Sequence, residues 1–147
     1  LTGSFLCSKY FGKEIIKNKK GGVILNISSD LGLIAPNQFL YEKKVNNRII
    51  RNKKPISYSV VKSGIIGLTK YLSTYWANKN IRCNCLCPGG IYNKQDKSFH
   101  KKIKKLIPLN RMANKKDYIT TVIWALSENT EYLNGSIISI DGGRTVW

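Results

Sequence analysis

The sequence predicts an α/β protein built on a doubly wound parallel sheet, and three observations lead there. Val23–Ser28 is a near-continuous β-branched and apolar run, the pattern of a strand covered on both faces by helices. Two further short apolar runs, Ile81–Cys87 and Ile137–Ile140, read as strands. Segments with apolar residues at three and four residue spacings lie between them. Strand, helix, strand, helix, strand in that order implies right-handed parallel crossovers.

In chain order, Thr2 to about Lys17 carries Phe5, Leu6, Phe11, Ile15 and Ile16 at helical spacing, and Lys19-Lys-Gly-Gly22 ends that helix. The first strand closes on the hydroxyl pair Ser28-Ser29. Twenty-eight residues separate Ser29 from Tyr58, and the stretch from Leu40 to Lys54 is charged up to Pro55. It reads either as a solvated surface loop or as a substrate-recognition or subunit-contact element. Ser57–Lys79 is a long helix, in which Gly64 and Gly67 permit close approach of another backbone. Its stripe Tyr71, Leu72, Tyr75 and Trp76 suits packing or a subunit contact. The strand Ile81–Cys87 breaks sharply at Pro88-Gly89-Gly90, at the strand end where open α/β sheets bind ligands. Asn93–Arg111 is basic, with Phe99, Ile103, Leu106 and Ile107 on one helical face and Lys101, Lys102, Lys104 and Lys105 mostly off it. Those lysines are either a solvated face or an attractor for an anionic substrate. Asp117–Ser127 is an amphipathic helix with Tyr118, Val122, Ile123 and Leu126 inward, and Ile137–Ile140 is the last strand.

At 147 residues the chain can bury one core. No run of about 18 apolar residues is present to span a membrane, and Leu1-Thr-Gly-Ser-Phe-Leu-Cys7 lacks a signal-peptide pattern. The net charge of +17 invites a nucleic-acid reading. Lysine accounts for twenty of the 25 basic residues, however, and arginine is the residue that clamps phosphate and reads bases; no specific nucleic-acid partner is expected. Cys83, Cys85 and Cys87 alternate on one strand face, a spacing wrong for disulfides and for zinc, so they read as small buried hydrophobes in a reducing, cytoplasmic compartment. His100 stands alone among lysines, and no metal site is expected.

Tyr58 and Lys62 are four residues apart at the start of the long helix, about one turn, and so share a face. A neighbouring ammonium favours a phenolate, which makes such a tyrosine a proton donor or acceptor for alcohol and ketone chemistry. Tyr75 and Lys79 repeat the spacing, but about 100° around the axis from Tyr58. Tyr41 has Val45 four residues on and lacks the pairing.

With the Ser28-Ser29 strand end, Cys87-Pro-Gly-Gly-Ile-Tyr-Asn93 and Gly135-Ser-Ile-Ile-Ser-Ile-Asp-Gly-Gly143 in this order, the chain resembles the short-chain dehydrogenase/reductase family over nearly its whole length. The resemblance implies a Rossmann-like sheet represented by its C-terminal portion, about three strands with flanking helices, over residues 1–147. The coenzyme-binding half and a fourth catalytic residue, an asparagine, would align before Leu1. It implies Ser29, Tyr58 and Lys62 as catalytic residues and NAD or NADP as cofactor. Tyr58, Lys62, Pro88, Gly89, Ile91 and Asn93 would contact that cofactor; the family often has threonine in place of Asn93. Residues 40–54 would be an insertion, residues 93–111 a substrate lid, and the helices Thr2–Lys17 and Ser57–Lys79 the surfaces of a homodimer or homotetramer.

More narrowly, the loop before Tyr58, Tyr58-Ser-Val-Val-Lys-Ser-Gly-Ile-Ile-Gly-Leu-Thr69, Thr74-Tyr-Trp-Ala77 and Pro88-Gly-Gly-Ile-Tyr-Asn93 look like reductases of bacterial surface-polysaccharide, flagellin-glycan and nonulosonic-acid pathways, which implies a sugar or sugar-derived alcohol as substrate. Two other classes stand beside the oxidoreductase: an inactive remnant acting as an oligomerisation module, and charge-driven polyanion binding. These residues alone are expected to be inactive, with the Val23–Ser28 strand an unpaired edge.

Overall fold

Alternation along one strand organises the molecule. In the computed structural model, which describes residues 1–147, the central strand β4 (Ile81–Pro88) lies between β1 (Gly22–Ile27) and β5 (Ile137–Ile140), parallel to both. Gly22 pairs with Ile81 through to Ile27 with Leu86, and Cys85 with Ile137 through to Pro88 with Ile140. On one face of β4, Ile81, Cys83, Cys85 and Cys87 meet α1 (Thr2–Lys17) and α2 (Ile56–Tyr75), through Ile15, Ile16, Leu68 and Leu72 at one end and Val61 and Ile65 at the other. All three cysteines are fully buried, Cys7 on α1 is exposed, and burial pushes the Cys83 thiol up to about 12. On the opposite face, Arg82 donates to the Leu133 and Ser127 carbonyls and Asn84 to Leu133, holding the segment after α4 (Lys116–Leu126).

The expected helices and strands form close to their sequence positions, with four differences. The first is in α4, where Tyr118 is buried and Val122 half-buried as expected, but Ile123 and Leu126 are exposed and Ala125 turns into the core instead. The long helix stops at Tyr75 instead of running to Lys79: Trp76 leaves helical geometry to bury its ring, a 3₁₀ turn follows, and Asn80 in the left-handed region turns the chain into β4. Tyr75 and Lys79 therefore do not share a helical face. The aromatic stripe also divides, Leu72 and Trp76 into the core and Tyr71 and Tyr75 outward, with their rings stacked at 5.4 Å. Finally β1, at the sheet margin, is only half-buried over most of its length rather than covered on both faces.

Residues 40–54 hold regular structure. Gln38–Tyr41 is a 3₁₀ turn, followed by β2 (Glu42–Val45) and β3 (Arg48–Arg51), an antiparallel hairpin closed by Asn46 and Asn47, both at positive φ. Two consecutive left-handed residues in a two-residue loop match the twist of the flanking strands. The hairpin is tied to α3 (Lys97–Lys104): Leu40 packs with Ile103, Ile107 and Met112, Tyr41 lies 5.7 Å from the Phe99 ring, and Lys102 donates to the Phe39 and Glu42 carbonyls at 2.9 and 2.7 Å.

Candidate active site

The Ser28-Ser29 strand end and the first turns of α2 lie against each other. Ser28 Oγ donates to the Lys62 carbonyl at 2.7 Å, and Ser63 Oγ to the Gly32 carbonyl at 3.1 Å. Gly32 makes this approach possible, because a Cβ there would stand 2.6 Å from Ser28 Oγ and 3.1 Å from the Lys62 backbone. The two serines thus have separate tasks: Ser28 fastens loop to helix, and Ser29, also buried, turns its hydroxyl to Asp30 Oδ1 at 2.8 Å.

Tyr58 and Lys62 share one face of α2. The Lys62 ammonium lies 5.8 Å from the Tyr58 ring centroid and donates to the Ile27 carbonyl at 3.2 Å, which carries it to the C-terminal end of β1 beside the serines. An ammonium has three donors, so this bond leaves two free. A second ammonium, that of Lys54, lies over the same ring at 3.7 Å, a cation–π contact that the sequence reading did not anticipate. Tyr41, set aside for want of a lysine partner, is also a neighbour. Burial raises its phenol pKa, and Arg144, Asp30 and Tyr58 all act on it electrostatically.

The Pro88–Asn93 segment leaves β4 beside β5. Gly89 N–H donates to the Ile140 carbonyl at 2.8 Å, and the Gly89 carbonyl accepts from the Tyr118 hydroxyl at 2.9 Å. A Cβ on Gly89 would lie 2.8 Å from Asp141 Cα, so this glycine is demanded by packing against the chain after β5. Gln95 accepts from Asn93 N–H and donates to the Ile91 carbonyl, while the Ile91 N–H has no partner within the chain and the Asn93 side chain is exposed. Free donors on Ile91 and Lys62 suit the carboxamide and ribose hydroxyls of a nicotinamide coenzyme, and these residues fit that group.

One opening borders the segment and a second lies apart from it. A cavity of about 200 Å³ is lined by Gly89, Gly90, Arg111, Asp117 and Asp141 among others. A groove of about 310 Å³ runs between the 3₁₀ turn and α3, with Phe39 and Leu40 on one side and Lys101, Lys102 and Lys105 on the other. The lysines of the basic segment are thus not uniformly solvated, since Lys102 is half-buried and bonded to backbone.

A family model described as enoyl-(acyl carrier protein) reductase matches residues 1–145. The chain belongs to the short-chain dehydrogenase/reductase family. Among its relatives in this family, the NADH-dependent L-xylulose reductase of Ambrosiozyma monospora is 34% identical, over 100% of this chain and 52% of that protein. The post-translational flagellin modification protein A of Campylobacter coli is 32% identical, over 97% and 53%. A short-chain dehydrogenase from Leptospira borgpetersenii, solved with bound NAD+, superposes with a TM-score of 0.89 at 36% identity, covering 99% of this chain and 53% of that one. The chain spans about half the length of the curated relatives it matches.

Proposed function

We propose that the protein is an NAD(P)-dependent oxidoreductase interconverting a secondary alcohol and its ketone, with Tyr58 as the proton-transfer group. Support comes first from the seam between β1 and α2, which gathers a phenol, an ammonium with two free donors and a strand-end serine. The coenzyme supplies or accepts the hydride when bound. In this reading Tyr58 gives its proton to the carbonyl oxygen in reduction and receives it in oxidation. Ser29 hydrogen-bonds the same oxygen, Lys62 holds the nicotinamide ribose, and Pro88, Gly89, Ile91 and Asn93 border the carboxamide. The NAD+ bound in the Leptospira structure and the NADH in a 4-hydroxyisoleucine dehydrogenase at 26% identity favour a nicotinamide dinucleotide.

The substrate of this reading is a sugar or sugar-derived alcohol. The L-xylulose reductase and a D-arabinitol 2-dehydrogenase at 30% identity act on such molecules, and the lysine-lined groove is suited to an anionic substituent on one. The hairpin 42–51 and α3 together would form its mouth. The test is a screen of the full-length gene product with NAD and NADP against D-arabinitol, L-xylulose, D-glucose and their phosphates, read as nicotinamide absorbance. Turnover that Tyr58→Phe abolishes supports the reading; turnover that survives it removes Tyr58 from the mechanism.

A second property draws on a separate observation. Phe5, Tyr10 and Phe11 on α1 and Tyr71 and Tyr75 on α2 are exposed, an aromatic surface suited to a homo-oligomer contact. Light scattering of wild type against Phe11→Lys/Tyr71→Lys tests it, with an unchanged mass counting against it.

A further inference from the structure

Lys54 lies in the stretch that joins the β2–β3 hairpin to α2, and its ammonium stands over the Tyr58 ring, 3.7 Å from the centroid. No acid in the chain takes that charge. The lysine belongs to none of the five ion pairs, and its side chain is half-buried. Its main-chain N–H donates to Gln38 Oε1 at 2.9 Å, which fixes the backbone from which the ammonium reaches. All three donors of the ammonium itself stay free. A half-buried cation has lost part of its hydration, and the face of an aromatic ring returns only part of that.

The surrounding groups add to the charge instead of cancelling it. Ile56 and Ser57 at the start of α2 have N–H groups with no acceptor in the chain, no side chain caps them, and the first turn holds no acid, so the positive end of the helix is left open. Lys62 puts a second ammonium 5.8 Å from the same ring. Asp30, the acid of the strand end, is taken by Arg144, and Glu42, the acid of the hairpin, by Arg51 at 3.5 Å. The vacancy beside Tyr58 is therefore one for an anion.

Reach selects which anion. The oxygen of a phenol is one bond outside its ring, so an ammonium over the ring face meets groups within a bond or two of a carbon whose oxygen faces Tyr58. A carboxylate next to a secondary alcohol stands there, and its single charge matches one ammonium. A phosphate ester at the far end of a sugar stands several carbons away. We propose that Lys54 is a specificity-determining residue that binds a carboxylate on the carbon beside the reacting one, so that the substrate is a sugar acid and not a neutral polyol. The inference rests on the reading of Tyr58 given above.

The test compares D-arabinonate and D-gluconate with the polyols of the same skeletons, D-arabinitol and D-glucitol, on the full-length gene product. Two readouts are taken: kcat/KM at saturating coenzyme and, independent of turnover, binding to the NADH- or NADPH-loaded protein by nicotinamide fluorescence. Wild type should favour the acids by about tenfold or more, the scale of one charge-assisted hydrogen bond. Lys54→Met should remove that preference through KM, while Lys54→Arg keeps most of it. Lys53→Met, which deletes the exposed charge next door, should leave it in place.

Absence of the preference in wild type by both readouts overturns the assignment, as does a preference intact in Lys54→Met. Equal loss in Lys53→Met also overturns it, because the effect would then be bulk charge that salt screens. Tyr58→Phe tells this inference apart from the reading beneath it: the phenyl ring still carries Lys54, so acid binding should persist while turnover stops. Turnover surviving in that variant defeats the reading of Tyr58, whereas an acid preference indifferent to Lys54 defeats only the role of the lysine.

Discussion

Around Ser29, Tyr58 and Lys62, polar groups are largely committed: Ser28 to the Lys62 carbonyl, Ser29 to Asp30, Asp30 to Arg144, and Lys62 to the Ile27 carbonyl. The β2–β3 hairpin next to them is exposed along nearly all of both strands and is joined to α3 by one buried leucine, the Tyr41–Phe99 ring contact, one lysine bonded to two carbonyls, and the exposed Lys43–Asp96 ion pair at 3.4 Å. In the proposed reading, the contrast separates a rigid seam that would position reacting groups from a clamp that can open locally at little cost to the whole fold. Geometry at the reacting oxygen tolerates little looseness, whereas a substrate mouth has to admit and release its ligand.

The largest expected effect lies in the seam. Tyr58→Phe should lower kcat by about 10²–10⁴-fold, the usual scale of general acid–base assistance, while coenzyme affinity measured by nicotinamide fluorescence stays the same. Retained turnover would mean that the rigid seam is not where the chemistry happens. Next comes the clamp, where Leu40→Ala should cost about 2–5 kcal/mol of local stability. The amides of residues 38–51 should then exchange faster while those of β4 do not. Equal acceleration in both regions would show them to be one cooperative unit.

Tyr118→Phe removes the hydrogen bond to the Gly89 carbonyl and should cost about 1 kcal/mol in denaturant unfolding. Burial, then the nearby Asp30 carboxylate, pushes the Tyr118 phenol up to about 12. A phenol whose pKa is raised by folding stabilises the fold below its unfolded value of about 10. The gap between wild type and variant should therefore close as pH rises from about 10 towards 12.

The smallest effect is at the surface. Asp117 accepts a fork from Arg111 at 2.7 and 3.0 Å and a bond from Asn114 N–H, with the Arg111 bond the main influence holding its carboxyl down at about 2. Stability from a depressed carboxyl is present above its unfolded value of about 4 and fades as pH falls towards 2. Arg111→Met should melt slightly below wild type at neutral pH, and the two melting curves should converge near pH 2. A gap that persists there would assign the effect to packing of the arginine stem.

The scaffold was legible because its signals are local and periodic. Phe5, Ile15 and Ile16 announce α1, the alternating cysteines announce a strand with one face against helices, and Tyr58 with Lys62 needs only one helical turn. The hairpin was less legible, since Glu42-Lys-Lys-Val45 and Arg48-Ile-Ile-Arg51 carry charge where strand residues normally carry apolar alternation. A usable cue was present in Asn46-Asn47, a pair that tolerates two successive left-handed conformations. The end of α2 escaped because Trp76 is both a tolerable helix residue and a core anchor, and only tertiary packing decides between them. Neither Lys54 over Tyr58 nor Arg144 against Asp30 has any local signature, because each depends on where a turn delivers a long side chain.

The cysteine distribution gives the molecule a built-in reporter. With Cys7 alone at the surface of the single chain and the other three sulfurs sealed beneath α1 and α2, a thiol-reactive dye should attach once per native monomer, and more slowly wherever a second copy covers the Tyr10–Phe11 side of that helix. Titration in denaturant should yield four. The rate at which the three hidden thiols become reactive then clocks the opening of the sheet–helix core, without an enzymatic assay.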